Sequence, residues 1–98
     1  MIKFITFKIG MNVISDVDEM PDFYILKKPA VVMTQPQNGQ LSVGFSPFLE
    51  LCDEFTTGIQ INKKDVLTIN TPNVELQNQY NKHFGSGIQI ATADMIIK

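Results

Sequence analysis

The chain has no arginine and no tryptophan, one cysteine and one histidine, and charged residues fill only 18% of its 98 positions. Each shortage excludes something. With Cys52 alone no disulfide forms within the chain, which suits a reducing compartment. An inert buried thiol is expected there rather than a nucleophile, because no local spacing brings the only histidine, His83, to it. Without arginine the bidentate fork of most phosphate and guanine readers is missing, so any nucleic-acid contact must come from lysine, amide and aromatic groups. The formal net charge of -2 argues against tight, sequence-blind binding to a phosphate backbone. No run approaches the roughly 18 apolar residues that span a bilayer. The N-terminal MIKFITFKIG is interrupted by Lys3 and Lys8 and lacks a small-residue cleavage site, so a signal peptide is not expected either. A soluble, cytoplasmic protein is the expectation.

At this length two independent cores would each be too small, so residues 1–98 are expected to form one domain. A domain of this size hides only about two thirds of the surface its unfolded chain exposes, and no disulfide compensates. Assembly with copies of itself is the cheapest remaining source of stability.

The chain reads as short strands separated by bends. Ile5, Phe7 and Ile9 alternate with Phe4, Thr6 and Lys8, and Gly10 supplies a turn. Val13, Ser15 and Val17 alternate with Ile14, Asp16 and Asp18 in a second strand, which Pro21-Asp22 ends. FYILKKPAVVMT, residues 23–34, is a third, and Pro29 in its middle requires an edge or a bend because it cannot donate to a ladder. Asn38-Gly39 is the strongest hairpin signal, suited to a turn needing positive φ. LSVGFSPFLEL follows as a bent strand and Cys52-Asp53-Glu54 as a polar corner. Alternation returns in FTTGIQIN, and INKKDVLTIN reads as a hairpin with its tip at residues 62–65. Helical period occurs once: Thr71 as N-cap, Pro72 at the first helical position, Leu76, Tyr80 and Phe84 four apart, and Gly85 as the stop predict a helix over about 72–84. GIQIA then gives a short final strand, followed by the apolar tail MIIK. The fold class expected is mainly β: a small, strongly bent, five-stranded antiparallel barrel over about 2–70, with the helix and last strand over about 71–98.

Most chemical motifs yield to plainer readings. Gly85-Ser86-Gly87 follows a helix rather than preceding one, the reverse of a phosphate-binding loop. His83 has no nucleophile or orienting carboxylate at a recognisable spacing and reads as a solvated helix-end residue. Asp16, Asp18 and Asp22 resemble a calcium loop, but Pro21 stands at the sixth position, where glycine is needed, and the closing glutamate is absent. Phe45, Phe48 and Phe55 are better core residues than base-stacking platforms. No catalytic residue, metal or cofactor is expected. The doubled lysine at Lys63-Lys64 differs, since an exposed tip gives it no packing role and Asn62 adds an amide able to contact a base or ribose.

INKKDVLTI resembles the second signature of the Sm and Sm-like RNA-binding proteins, in which a strand ends in a short basic tip before an apolar strand. KIGMNVISDVDE resembles the first, a glycine turn entering an alternating strand. Over nearly its whole length, including YNKHFGSGIQI, the chain is similar to the small Sm-like proteins of marine cyanophages. The resemblance implies a ring of five to seven identical subunits in the cytoplasm of an infected host cell. Subunits would join by pairing the fourth strand of one barrel, Gly58, Ile59, Gln60 and Ile61, with the fifth of the next, Val66, Leu67, Thr68 and Ile69. It further implies RNA or single-stranded DNA contacts near the pore, from Asn62, Lys63 and Lys64 at the second tip and from Asp22 and Phe23 in the loop before the third strand. The tip here has lysine for arginine and no glycine, and the first loop is acidic and carries Pro21.

Two functions follow as expectations. The first is a ring that binds nucleic acid and serves its processing or chaperoning. The second is a structural or protein-interaction ring, such as a phage assembly factor, suggested by the net acidity and the missing arginines. A hydrolase using Cys52 or His83 is a poorly founded third.

Overall fold

Period-two alternation becomes six antiparallel strands in the computed structural model, which describes residues 1–85. They are β1 (Ile2–Phe7), β2 (Asn12–Glu19), β3 (Phe23–Gln37), β4 (Gln40–Pro47), β5 (Ile59–Asn62) and β6 (Val66–Asn70). The class is mainly β as expected, with six strands where five were read. The expected final strand at GIQIA and the tail MIIK lie outside the described residues. The sheet runs β4-β3-β2-β1-β6, with β5 also paired to β3. The first part of β3, Phe23–Leu26, pairs with β5, and the part from Ala30 to Gln37 pairs with β4.

The division falls where Pro29 predicts a bend. Lys28 has φ 51°, a left-handed conformation that costs a side-chain-bearing residue on the order of 1 kcal/mol. The buried Pro29 beside it has no N–H for a ladder to lose. The bend is fastened from two sides: Ser15, fully buried, donates its hydroxyl to the Lys27 carbonyl at 2.9 Å, and Tyr80 donates to the Lys28 and Lys27 carbonyls at 2.8 and 3.1 Å. The turns are as expected at Gly10, with φ 96°, and at Asn38-Gly39, with φ 53° and 78°.

Two apolar clusters use the two faces of the sheet. Ile5, Phe7, Val13, Val17, Tyr24 and Leu26 form one, against which Ile59, Ile61, Val66 and Ile69 pack. Ile14, Ala30, Val32 and Tyr80 form the other, covered by the helical segment through Leu76 and Phe84. Ile9, expected to continue the strand on one face with Ile5 and Phe7, is 84% exposed, because β1 ends at Phe7 and Ile9 belongs to the turn.

Several local readings need correction. Phe55–Thr57 are not strand: they belong to a one-turn helix, α1 (Glu54–Thr57), too short to leave a period in the sequence. Cys52, expected to be buried, is exposed in the turn before it. The flanks of the 62–65 tip do not form a hairpin, since β5 pairs with β3 and β6 with β1. The longer helix is α2 (Val74–Tyr80), continued by a wider π-helical turn, Asn81–Gly85. Its N-cap is Asn73, whose side chain accepts from the Leu76 N–H at 2.9 Å, while the Thr71 hydroxyl accepts from Lys3 instead. No helix among the described residues is long and apolar enough to cross a membrane.

Tyr80 ties α2 to the bend, and Lys28 returns the tie by donating from Nζ to the Phe84 carbonyl at 3.0 Å. Tyr80→Phe removes the side-chain donor from the Lys28 carbonyl and leaves the Lys27 carbonyl to Ser15 alone, and it is expected to cost about 1–2 kcal/mol in urea unfolding. Burial also pushes the Tyr80 phenol well above its ordinary range. The folded state therefore keeps a proton that the unfolded state loses, so this contribution is intact below about pH 10 and declines as pH rises beyond it. Tyr80→Phe should flatten that alkaline decline, which unfolding midpoints across the alkaline range will show.

Candidate nucleic-acid interface

The tip after β5 forms without the glycine that a tight turn often demands. Asn62, in extended conformation, accepts from the Lys64 N–H through its side-chain oxygen at 2.9 Å, and Lys63–Asp65 follow as one 3-10 turn. No residue of that turn has positive φ.

Pairing of β5 with β3 brings the two expected contact regions together. Phe23 is opposite Asn62, and the Lys63 N–H points at the Asp22 carbonyl at 3.4 Å. Asp22, Phe23, Asn62, Lys63 and Lys64 thus form one neighbourhood, with Asp22, Asn62 and Lys64 exposed and Phe23 and Lys63 half-buried. On the other side of the tip the Asp65 carbonyl accepts from the Lys8 N–H at 2.9 Å, which brings in the β1–β2 turn.

The lysines are not equivalent. Lys63 Nζ lies 2.8 Å from a Glu19 carboxylate oxygen and 5.1 Å from the centre of the Tyr24 ring. That hydrogen bond and the lysine's charge hold the Glu19 carboxyl below its ordinary range. Lys64 is exposed and has no ion-pair partner among the described residues. Lys8, Lys63 and Lys64 are matched by Glu19, Asp22 and Asp65, so long-range attraction for phosphates is weak and contacts must be short. Glu19 and Tyr24 were not singled out in the sequence. They join the site only because β2 pairs with β3 and β5 then docks beside them.

The expected subunit contacts occupy two sheet edges. In β5, Ile59 and Ile61 face the first cluster and Gln60 is exposed; in β6, Val66 and Ile69 face it and Leu67 and Thr68 are exposed. Each strand pairs on one side only, so among the described residues the sheet is not closed and both strands keep an unpaired edge. The 62–65 tip joins those two edges.

Other candidate chemistry finds ordinary partners. His83 Nδ1 lies 3.1 Å from the Gln79 carbonyl, and its ring meets Phe45 edge-on at 5.5 Å. Phe45, Phe48 and Phe55 are half-buried, Phe45 against the second cluster. Asp18 pairs with Lys27 and Asp16 with the N-terminal ammonium, and no group of three metal-ligating side chains occurs among the described residues. A groove of about 620 Å³ lies between the β3 bend and α2, lined by Asp16, Lys27, Lys28, Tyr80 and Phe84. Its two lysines are engaged, Lys27 by Asp18 and Lys28 by the Phe84 carbonyl. No protein-family model matches the chain, and no curated protein matches it.

Proposed function

We propose that the chain is the subunit of an Sm-like ring, of the kind found in marine cyanophages, that binds single-stranded RNA or DNA for processing or chaperoning. The observation that carries this is the convergence of Asp22-Phe23 with Asn62-Lys64 at one tip, between two strands that each keep an unpaired edge. If β5 of one subunit pairs with β6 of the next, the tip recurs at every junction. Weak contacts from Lys64, Asn62 and Phe23 then act together on one strand, and avidity offsets a near-neutral local field. Lysine and an amide supply phosphate and base contacts without arginine.

A protein-interaction ring without nucleic acid is the second reading, favoured by the capture of Lys63 by Glu19. Fluorescence anisotropy of labelled single-stranded oligonucleotides at low salt separates the two. The first reading predicts binding that weakens as salt rises, and a loss of about tenfold or more, with a shallower salt slope, in Lys63→Ala/Lys64→Ala. Equal affinity in both proteins, or none in either, contradicts it.

A further inference from the structure

Lys63 stands at the expected contact position with its charge already in use. Its ammonium is 2.8 Å from Glu19 and 5.1 Å from the Tyr24 ring centre, and its side chain is only 29% exposed, while that of Glu19 is 69% exposed. Lys64, its neighbour, is open to solvent. The turn fixes this difference: Asn62 holds the Lys64 N–H, and the Lys63 backbone is directed at Asp22, so the Lys63 side chain lies along Tyr24 toward the end of β2.

We infer that Glu19 is an autoinhibitory residue, an internal carboxylate that occupies Lys63 until a nucleic-acid phosphate displaces it. The inference rests on the nucleic-acid reading above and assigns the regulation of that site. A phosphate approaching the tip meets Lys64 first. To reach Lys63 it must compete with a carboxylate that forms the same charge-assisted hydrogen bond at the same atom. Tyr24 keeps the ammonium in place through the exchange, because its ring face attracts the cation whichever anion is bound. The site therefore discriminates by anion density. An isolated phosphate gains little over Glu19, whereas successive phosphates of one strand, held by tips of several subunits, displace it cooperatively.

The test is a double-mutant cycle read by anisotropy of a labelled oligouridylate at low salt, using wild type, Glu19→Gln, Lys63→Ala and Glu19→Gln/Lys63→Ala. Glu19→Gln is expected to bind about two- to fivefold tighter than wild type, the scale of one exposed ion pair released. In the Lys63→Ala background the same change should give no more than a small residual gain from general charge. An equal gain in both backgrounds makes Glu19 a bystander charge and overturns the inference while leaving nucleic-acid binding intact. Binding by wild type with no gain in Glu19→Gln does the same. No binding by any of the four overturns both readings.

A ligand-free measurement guards against a change in assembly mimicking the effect. Acetylation by a small amine-reactive ester, followed by peptide mass spectrometry, should modify Lys63 several-fold more slowly than Lys64 in wild type. That difference should shrink in Glu19→Gln, and equal rates in both proteins contradict the gate.

Discussion

Gly58→Ala is expected to destabilise the fold by about 2–4 kcal/mol, among the largest effects of any single methyl group in this chain. Gly58 joins α1 to β5 with φ 138°, a conformation that side-chain-bearing residues rarely adopt. A Cβ there would lie 2.5 Å from Ile25 Cγ2, and Ile25 is on β3 opposite Gln60. Relief requires Ile25 to leave its rotamer or β5 to move off β3, and the second takes Ile59 and Ile61 away from the first cluster. Urea unfolding measures the loss. Because β5 also carries an unpaired edge, any assembly should weaken in parallel, which distinguishes Gly58→Ala from a loss confined to α2.

Leu67→Asp is expected to leave the fold within about 0.5 kcal/mol of wild type and to abolish assembly. Leu67 is 63% exposed on β6, an edge strand that no described residue pairs on its outer side. The register against β1 shifts between Thr6 and Phe7, which leaves Leu67 as the extra residue of a bulge, and an exposed large apolar side chain at that edge suits a covered surface. In the proposed ring, an unpaired carboxylate inside the β5–β6 contact costs about 3 kcal/mol per interface, on the order of a hundredfold in its dissociation constant. The exposed Gln60 of β5 allows a complementary test. If assembly is head to tail, Gln60→Asp also gives monomers, but an equal mixture of the two variants forms one-to-one heterodimers through the intact β5 edge of one and the intact β6 edge of the other. A face-to-face dimer would not show that behaviour.

What the sequence showed and what it hid divide along the range of the interactions involved. Gly10, Asn38-Gly39 and Pro29 act on their own backbone, and the turns and the bend occur where these residues stand. The 62–65 tip was legible for the same reason. Its strand partners were not: β5 and β6 adjoin in sequence and suggest a hairpin, yet β5 completes β3 and β6 completes β1, choices made by packing against Leu26 and Ile5. The N-cap was read as Thr71, but Lys3, from the other end of the chain, engages the Thr71 hydroxyl and Asn73 caps the helix. Cys52 looked like a core residue by type, but its neighbours Asp53 and Glu54 place it in an exposed turn. In the site, Asn62, Lys63 and Lys64 could be named from the sequence alone. The capture of Lys63 could not, because Glu19 reaches it across two strand pairings.

Sedimentation equilibrium of the wild-type chain at micromolar concentration tests the central claim most directly. The account predicts one closed species at a whole-number multiple of the 11.0 kDa chain, unchanged over a range of protein concentrations. A monomer at 11.0 kDa across that range would contradict it.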